Sequence, residues 1–249
     1  MLSRGILTAL SAAGLMLMAG AANATSVTIN GSAGARSASA AFAVSGSNLQ
    51  ITLTNTASAD AMAPTDILTA IYFDISGSLL GLGRGSVVLA PGSTVYHGIT
   101  DPGNVVGGEW AYVEGLGGAP SSARYGVSSS GLNWFGPSDR FPGNDLEPPV
   151  SPDGVQYGIT TAGDDMNTGN GGIDSSGLIH NSVVVTLTGL PAGFDPLSRI
   201  SNLTFQYGTA VTEPQVPGNP GGSVSVPLPS AAGAGLATIG LVLSRRRRR

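Results

Sequence analysis

The densest chemical potential in this chain lies between residues 164 and 174. The stretch DDMNTGNGGID places Asp164, Asp165, Asn167, Asn170 and Asp174 within eleven residues. Hard oxygen donors in a glycine-rich loop are what calcium takes. The spacing departs from a helix–loop–helix calcium site, because counting from Asp165 the fifth position is Gly169 and the twelfth is Ser176 rather than glutamate. Asp, Asn and Gly are also the commonest turn formers, so a solvated turn is the plainer expectation and calcium the sharper one.

A second set is aromatic. Trp110, Tyr112, Trp134, Phe135 and Tyr157 lie in the middle of the chain. Trp134 and Phe135 fall in a Gly/Pro-rich loop, where a core has no need of large rings. With Trp110 they would stack on the sugars of an extracellular polysaccharide; the alternative is that they plug the edge of a sandwich. Catalytic patterns are sparse. The only histidines are His97 and His180, and no G-x-S-x-G nucleophile turn occurs. Glu109 and Glu114 would make a carboxylate pair, but a five-residue separation on a strand puts them on opposite faces. The absence of cysteine excludes disulfides, thiolate zinc sites and cysteine nucleophiles. The expectation is a non-enzymatic protein without a cofactor, calcium aside. A carbohydrate-binding module is the first alternative and a secreted hydrolase the second.

The elements that must position these residues are strands. NLQITLTNT alternates Leu49, Ile51 and Leu53 with polar residues, as a half-buried strand does. DILTAIYFDISG, GSVVLA, STVYHGI, GEWAYVEG, NSVVVTLTG and ISNLTFQYG are β-branched or aromatic runs bounded by turn residues. SVTINGS and ASAAFAVSG supply two more near the start. No amphipathic helix is evident between residues 25 and 225. The fold class is therefore all-β, a single β-sandwich or jelly-roll-like body over 25–210, in which the first and last strands can pair. Residues 115–180 carry few strand signals and read as long loops on this scaffold. Residues 211–225, rich in Pro, Gly and Ser, read as a linker.

The two ends are of another kind. Arg4, an apolar run over 6–18 and the small-residue site Ala22-Asn23-Ala24 make residues 1–24 a secretory signal helix. At the other end, 228–243 carries no charge, and Arg245, Arg246, Arg247, Arg248 and Arg249 follow it. Sixteen helical residues span about 24 Å against a hydrocarbon core of about 30 Å, a marginal transmembrane anchor. The arginines would stay on the cytoplasmic side and stop translocation. Without signal and tail, five basic residues face fifteen acids, a net charge near −10 that disfavours nucleic acid.

The order of proline motif, apolar helix and arginine cluster over 226–249 resembles the PEP-CTERM sorting tail of Gram-negative bacteria. The motif here is Val226-Pro227-Leu228-Pro229, with Leu228 where the usual form has glutamate. The resemblance implies export by the secretion machinery and a transient anchor in the inner membrane. It further implies processing by a membrane-embedded exosortase and delivery to the cell surface or extracellular matrix. GEWAYVEGLGGAP, GLNWFGPSDRFPG, VQYGIT, HNSVVVTLTGLPAGFD and ISNLTFQYGT also resemble one subfamily of exosortase-dependent surface proteins, over about 83–210. That resemblance implies a location and a shared fold, and no chemistry.

Overall fold

The structure is a computed structural model and describes residues 26–136, 139–143 and 154–219. The expected signal with its expected cleavage site at Ala22 and Ala24, and the expected sorting tail from Val226 to Arg249, lie outside the described residues. The chain opens as a meander of β1 (Ser26–Ala33), β2 (Arg36–Ser45) and β3 (Asn48–Asn55). Each of its two-residue turns begins on a glycine, Gly34 or Gly46, at φ 61°, the region a right-twisted hairpin needs and glycine reaches without strain. β3 buries Leu49, Ile51 and Leu53 and leaves the residues between them half-buried, as the alternation predicts.

The chain then runs through β4 (Leu68–Ile75), β5 (Gly83–Leu89), β6 (Thr94–Tyr96), β7 (Ala111–Glu114), β8 (Tyr125–Ser128), β9 (Ile159–Thr160) and β10 (Leu178–His180). β11 (Ser182–Thr188), β12 (Ile200–Tyr207) and β13 (Gln215–Pro217) complete it. The first sheet has the order β1-β2-β3-β11-β5 and is antiparallel throughout. In the second, β4 pairs β12 along one edge and forks along the other. Residues 70–73 pair β8, while Leu68 pairs Ile159 of β9. β7 extends the first branch; β10, parallel to β9, and then β6 extend the second. Helix is confined, among the described residues, to one turn, α1 (Pro196–Arg199), and three 3-10 turns. Asp195 caps α1 by accepting the Leu197 N–H at 3.2 Å.

Strands dominate, and the two sheets face each other as a sandwich-like body. Phe42 of β2 meets Phe73 of β4 edge-on at 5.2 Å between centroids, and Phe73 stacks on Tyr125 of β8 at 5.6 Å. Ile51, Val185, Ile71 and Phe205 complete this inner core. Burial of each such side chain contributes about 1.5–3 kcal/mol.

Two stretches differ from the sequence reading. The region 115–180 contains β8, β9 and β10. These are two to four residues long and wholly or largely buried, too short and too uniformly covered to show alternation. Part of the stretch expected as a linker from residue 211 is strand. Gln215–Pro217 pairs β12, Val216 is buried, and the Asn219 N–H donates to Asn30 of β1 at 2.7 Å. The two ends of the body thus meet at one bridge.

Candidate functional site at the end of the sandwich

The aromatic set is divided between two cores. Trp110 has no exposed surface and belongs to the inner core, where its carbonyl accepts the Phe141 N–H at 3.1 Å. Phe135 is also buried. It lies in a second cluster with Ala70, Tyr72, Leu116 and Leu132, on the outer face of the second sheet. Trp134 is half-buried against it, edge-on to Tyr72 at 5.9 Å, and its indole N–H donates to the Gly117 carbonyl at 3.1 Å. An exposed stacking platform of Trp110, Trp134 and Phe135 is therefore corrected: the loop carrying the last two is a lid that covers apolar surface on β4 and β8. Gly126 of β8 makes the close approach possible, since a Cβ there would lie 2.8 Å from the Phe135 ring and 2.9 Å from Leu116.

Nor do the isolated catalytic candidates assemble. His180 stacks on Tyr96 at 5.0 Å, with Nε2 3.1 Å from the Ala162 carbonyl. His97 has φ 47° and approaches the Met166 carbonyl. Glu109 is buried, whereas Glu114 is half-buried and accepts the Tyr112 hydroxyl at 3.2 Å and the Leu82 N–H at 3.3 Å.

Four of the five oxygen-donor residues at 164–174 are engaged in hydrogen bonds, three of them within the loop's own turns. Asp164 accepts the Thr160 hydroxyl at 2.7 Å and the Ala61 N–H at 3.0 Å. Asp165 accepts the backbone and side-chain N–H groups of Asn167, each at 3.0 Å, and Asn170 accepts the Gly172 N–H at 2.9 Å. Asp174 is exposed. Among the described residues no three acidic or imidazole groups converge as metal ligands.

The loop does bring Asp164 to Asp60, a residue the sequence reading passed over. The Thr168 hydroxyl, then Asp164 and the Asp165 N–H, hold the Asp60 carboxyl below its ordinary value. Burial, and then Asp60 itself, push Asp164 up. The two carboxyls thus differ in affinity for one proton, and Asp164 takes it first.

Beside this pair, where the β1–β2 turn meets the loop from β3 to β4, is a cavity of about 230 Å³. Arg36, Asp60, Asp66, Ala57, Met62 and Tyr207 are among its lining. Arg36 is held rigidly: Nε donates to the Thr65 carbonyl at 2.7 Å and Nη2 to Asp66 at 2.9 Å. The other Asp66 oxygen accepts the Met62 and Ala63 N–H groups, each at 3.2 Å. The guanidinium lies over the Tyr207 ring, 5.9 Å from its centroid. Tyr207 has no exposed surface, and its hydroxyl has no hydrogen-bond partner among the described residues. Burial pushes its phenol well above the ordinary value, so it stays neutral. No local signal marks these residues, since the site joins the start of β2, the end of β12 and a turn between β3 and β4. Comparison with protein-family models, curated proteins and solved structures finds no match to the chain.

Proposed function

We propose that this is an exported protein, processed at its C-terminal tail and delivered to the cell surface or extracellular matrix, where its body is structural or adhesive. In this reading residues 1–24 form a signal helix that the secretion machinery removes after Ala24. Residues 228–243 form a transmembrane helix that holds the chain in the inner membrane until an exosortase cuts near Val226-Pro227-Leu228-Pro229. The observation that carries the reading is the ordered combination of a signal, a Pro/Gly/Ser spacer, a proline motif, an apolar run and five terminal arginines. The jelly-roll-like description of the body belongs to the same proposal and rests on its many short strands and dense turns.

Among the described residues Arg36, Arg84 and Arg124 are paired with Asp66, Asp139 and Asp74 at 2.9, 2.9 and 3.1 Å, which suits a role without nucleic acid. Replacing Arg245–Arg249 with serine tests the sorting claim. The expected result is loss of surface delivery with the tail uncut; normal processing and delivery of that variant would contradict it.

A further inference from the structure

We propose that the outer edge of β1 is a docking site for residues 220–224 of the same chain, which add to the five-stranded sheet as a further strand antiparallel to β1. This strand would belong to the body and form whether or not the tail is cut. Two sheet edges lie side by side at this place. β1 ends the first sheet, and β2 is its one full strand partner among the described residues. In the second sheet β13 reaches only Thr204, Phe205 and Gln206 of β12, so residues 200–202 carry no strand on that side among the described residues. Between the two edges runs a groove of about 520 Å³. Val27 and Ile29 of β1, Ile200 and Leu203 of β12, Leu197 of α1 and Pro217 line it. Leu197 is 46% exposed there. A strand edge beside an apolar groove is a template for another strand.

The course of the described chain selects the occupant. β13 belongs to the second sheet, but its continuation crosses to the first. The Gly218 N–H donates to the Leu203 carbonyl and the Asn219 N–H to the Asn30 carbonyl, each at 2.7 Å. The crossing is tight, since a Cβ on Gly218 would lie 2.8 Å from Ile29 and 2.9 Å from Leu203. Asn219 and Asn30 form an antiparallel bridge, and that bridge sets a register. One step forward in the chain is one step back along β1, so Gly221 falls opposite Thr28 and Ser223 opposite Ser26. Peptide groups alternate along a strand, so the Thr28 N–H and carbonyl point away from β2, to the same side as the Asn30 carbonyl. Gly221 can exchange both hydrogen bonds with Thr28. Pro220 falls opposite Ile29, where its nitrogen points away from β1 and its missing N–H forfeits no bond. Side chains alternate too. Pro220 and Val224 would share the groove face with Ile29 and Val27, and Ser223 the outer face with exposed Asn30. A strand from a second copy would have to displace a continuation that is already bonded at Asn219.

The test is hydrogen exchange on the full, uncut chain in detergent, read at the Thr28 amide at two protein concentrations about tenfold apart. The expected result is the same slow exchange at both concentrations. Gly221→Pro, which removes the N–H facing Thr28, should speed it by about tenfold or more. Two further variants add one charge each to opposite faces. Val224→Asp, toward the groove, should speed Thr28 exchange by a similar factor, whereas Ser223→Asp, on the outer face, should leave it within about twofold. Slow exchange at Val185, inside the first sheet, reports that the body stays folded in every variant. Three results would each overturn the inference: fast Thr28 exchange in the parent, protection that appears only at the higher concentration and so comes from a second copy, or equal effects of Val224→Asp and Ser223→Asp.

Discussion

In the first sheet, β3 buries every second residue against the inner core and leaves its other face half-open. In the second, β4 is covered on both sides: Ile71, Phe73 and Ile75 face the inner core, while Ala70 and Tyr72 face a second cluster. The covering is the segment that contributes Leu116, Ala119, Ala123, Leu132 and Phe135. Hydroxyls of this layer bond within it and to β12. The Ser128 hydroxyl donates to the Ser130 carbonyl at 2.7 Å, and Ser121 meets Thr204 at 2.8 Å between hydroxyls. The contrast shows that a chain with few charged residues can use a long, strand-poor segment as a third layer.

The largest effect that would sharpen this contrast belongs to the inner core. Phe73→Ala removes the ring that joins Phe42 to Tyr125, and urea unfolding should show a loss of about 3–5 kcal/mol. Phe135→Ala tests the lid directly. It should cost about 3 kcal/mol, because it empties a buried site against Tyr72 and Gly126. A cost below about 1 kcal/mol, the range of surface changes, would return the lid to the status of an exposed loop.

A smaller effect is expected where loops close the end of both sheets. Asp164 titrates above its ordinary 3.8, so its contribution is fully present below that value and is lost as pH rises through its folded pKa. Asp60 is held below 3.8, so its contribution is present above that value and is lost as pH falls through its folded pKa. Acidification from neutrality should therefore first raise the melting temperature and then lower it. Asp164→Asn, which keeps a donor toward Asp60 without the charge, should abolish the initial rise. A profile identical to the parent's would show that the two carboxyls do not interact. The smallest effect is expected on the open face of the first sheet, where Gln50→Thr should stay within about 0.5 kcal/mol.

These differences also explain how much was legible in the sequence. β3 and β11 showed their buried residues through alternation or a β-branched run, whereas β12 alternates in sequence yet buries Thr204 and Gln206 along with Leu203, Phe205 and Tyr207. β4 showed itself as a continuous apolar run, though the run does not say what covers its outer face. β8 and β9 were not legible, because they are short and buried on all sides by distant segments. β13 was hidden in a Pro-rich stretch and is confined to the sheet edge, where proline is tolerated. The candidate site was the least legible part. Asp164 stands out in the sequence for its neighbours there, whereas in the structure it meets Thr160, Ala61 and Asp60, two of them brought close only by the fold. Tyr207 reads as the last apolar residue of a strand, and only its position beneath Arg36 makes its hydroxyl notable.

The proposed export and removal of the tail can be read from the intact mass of the protein recovered from the surface or extracellular fraction of a host that has an exosortase. The account predicts a chain that begins at Thr25 and lacks Arg245–Arg249, with its new C-terminus near Pro227 or Pro229. A recovered chain that still carries the five arginines, or that is found only in the cytoplasm with residues 1–24 intact, would contradict it.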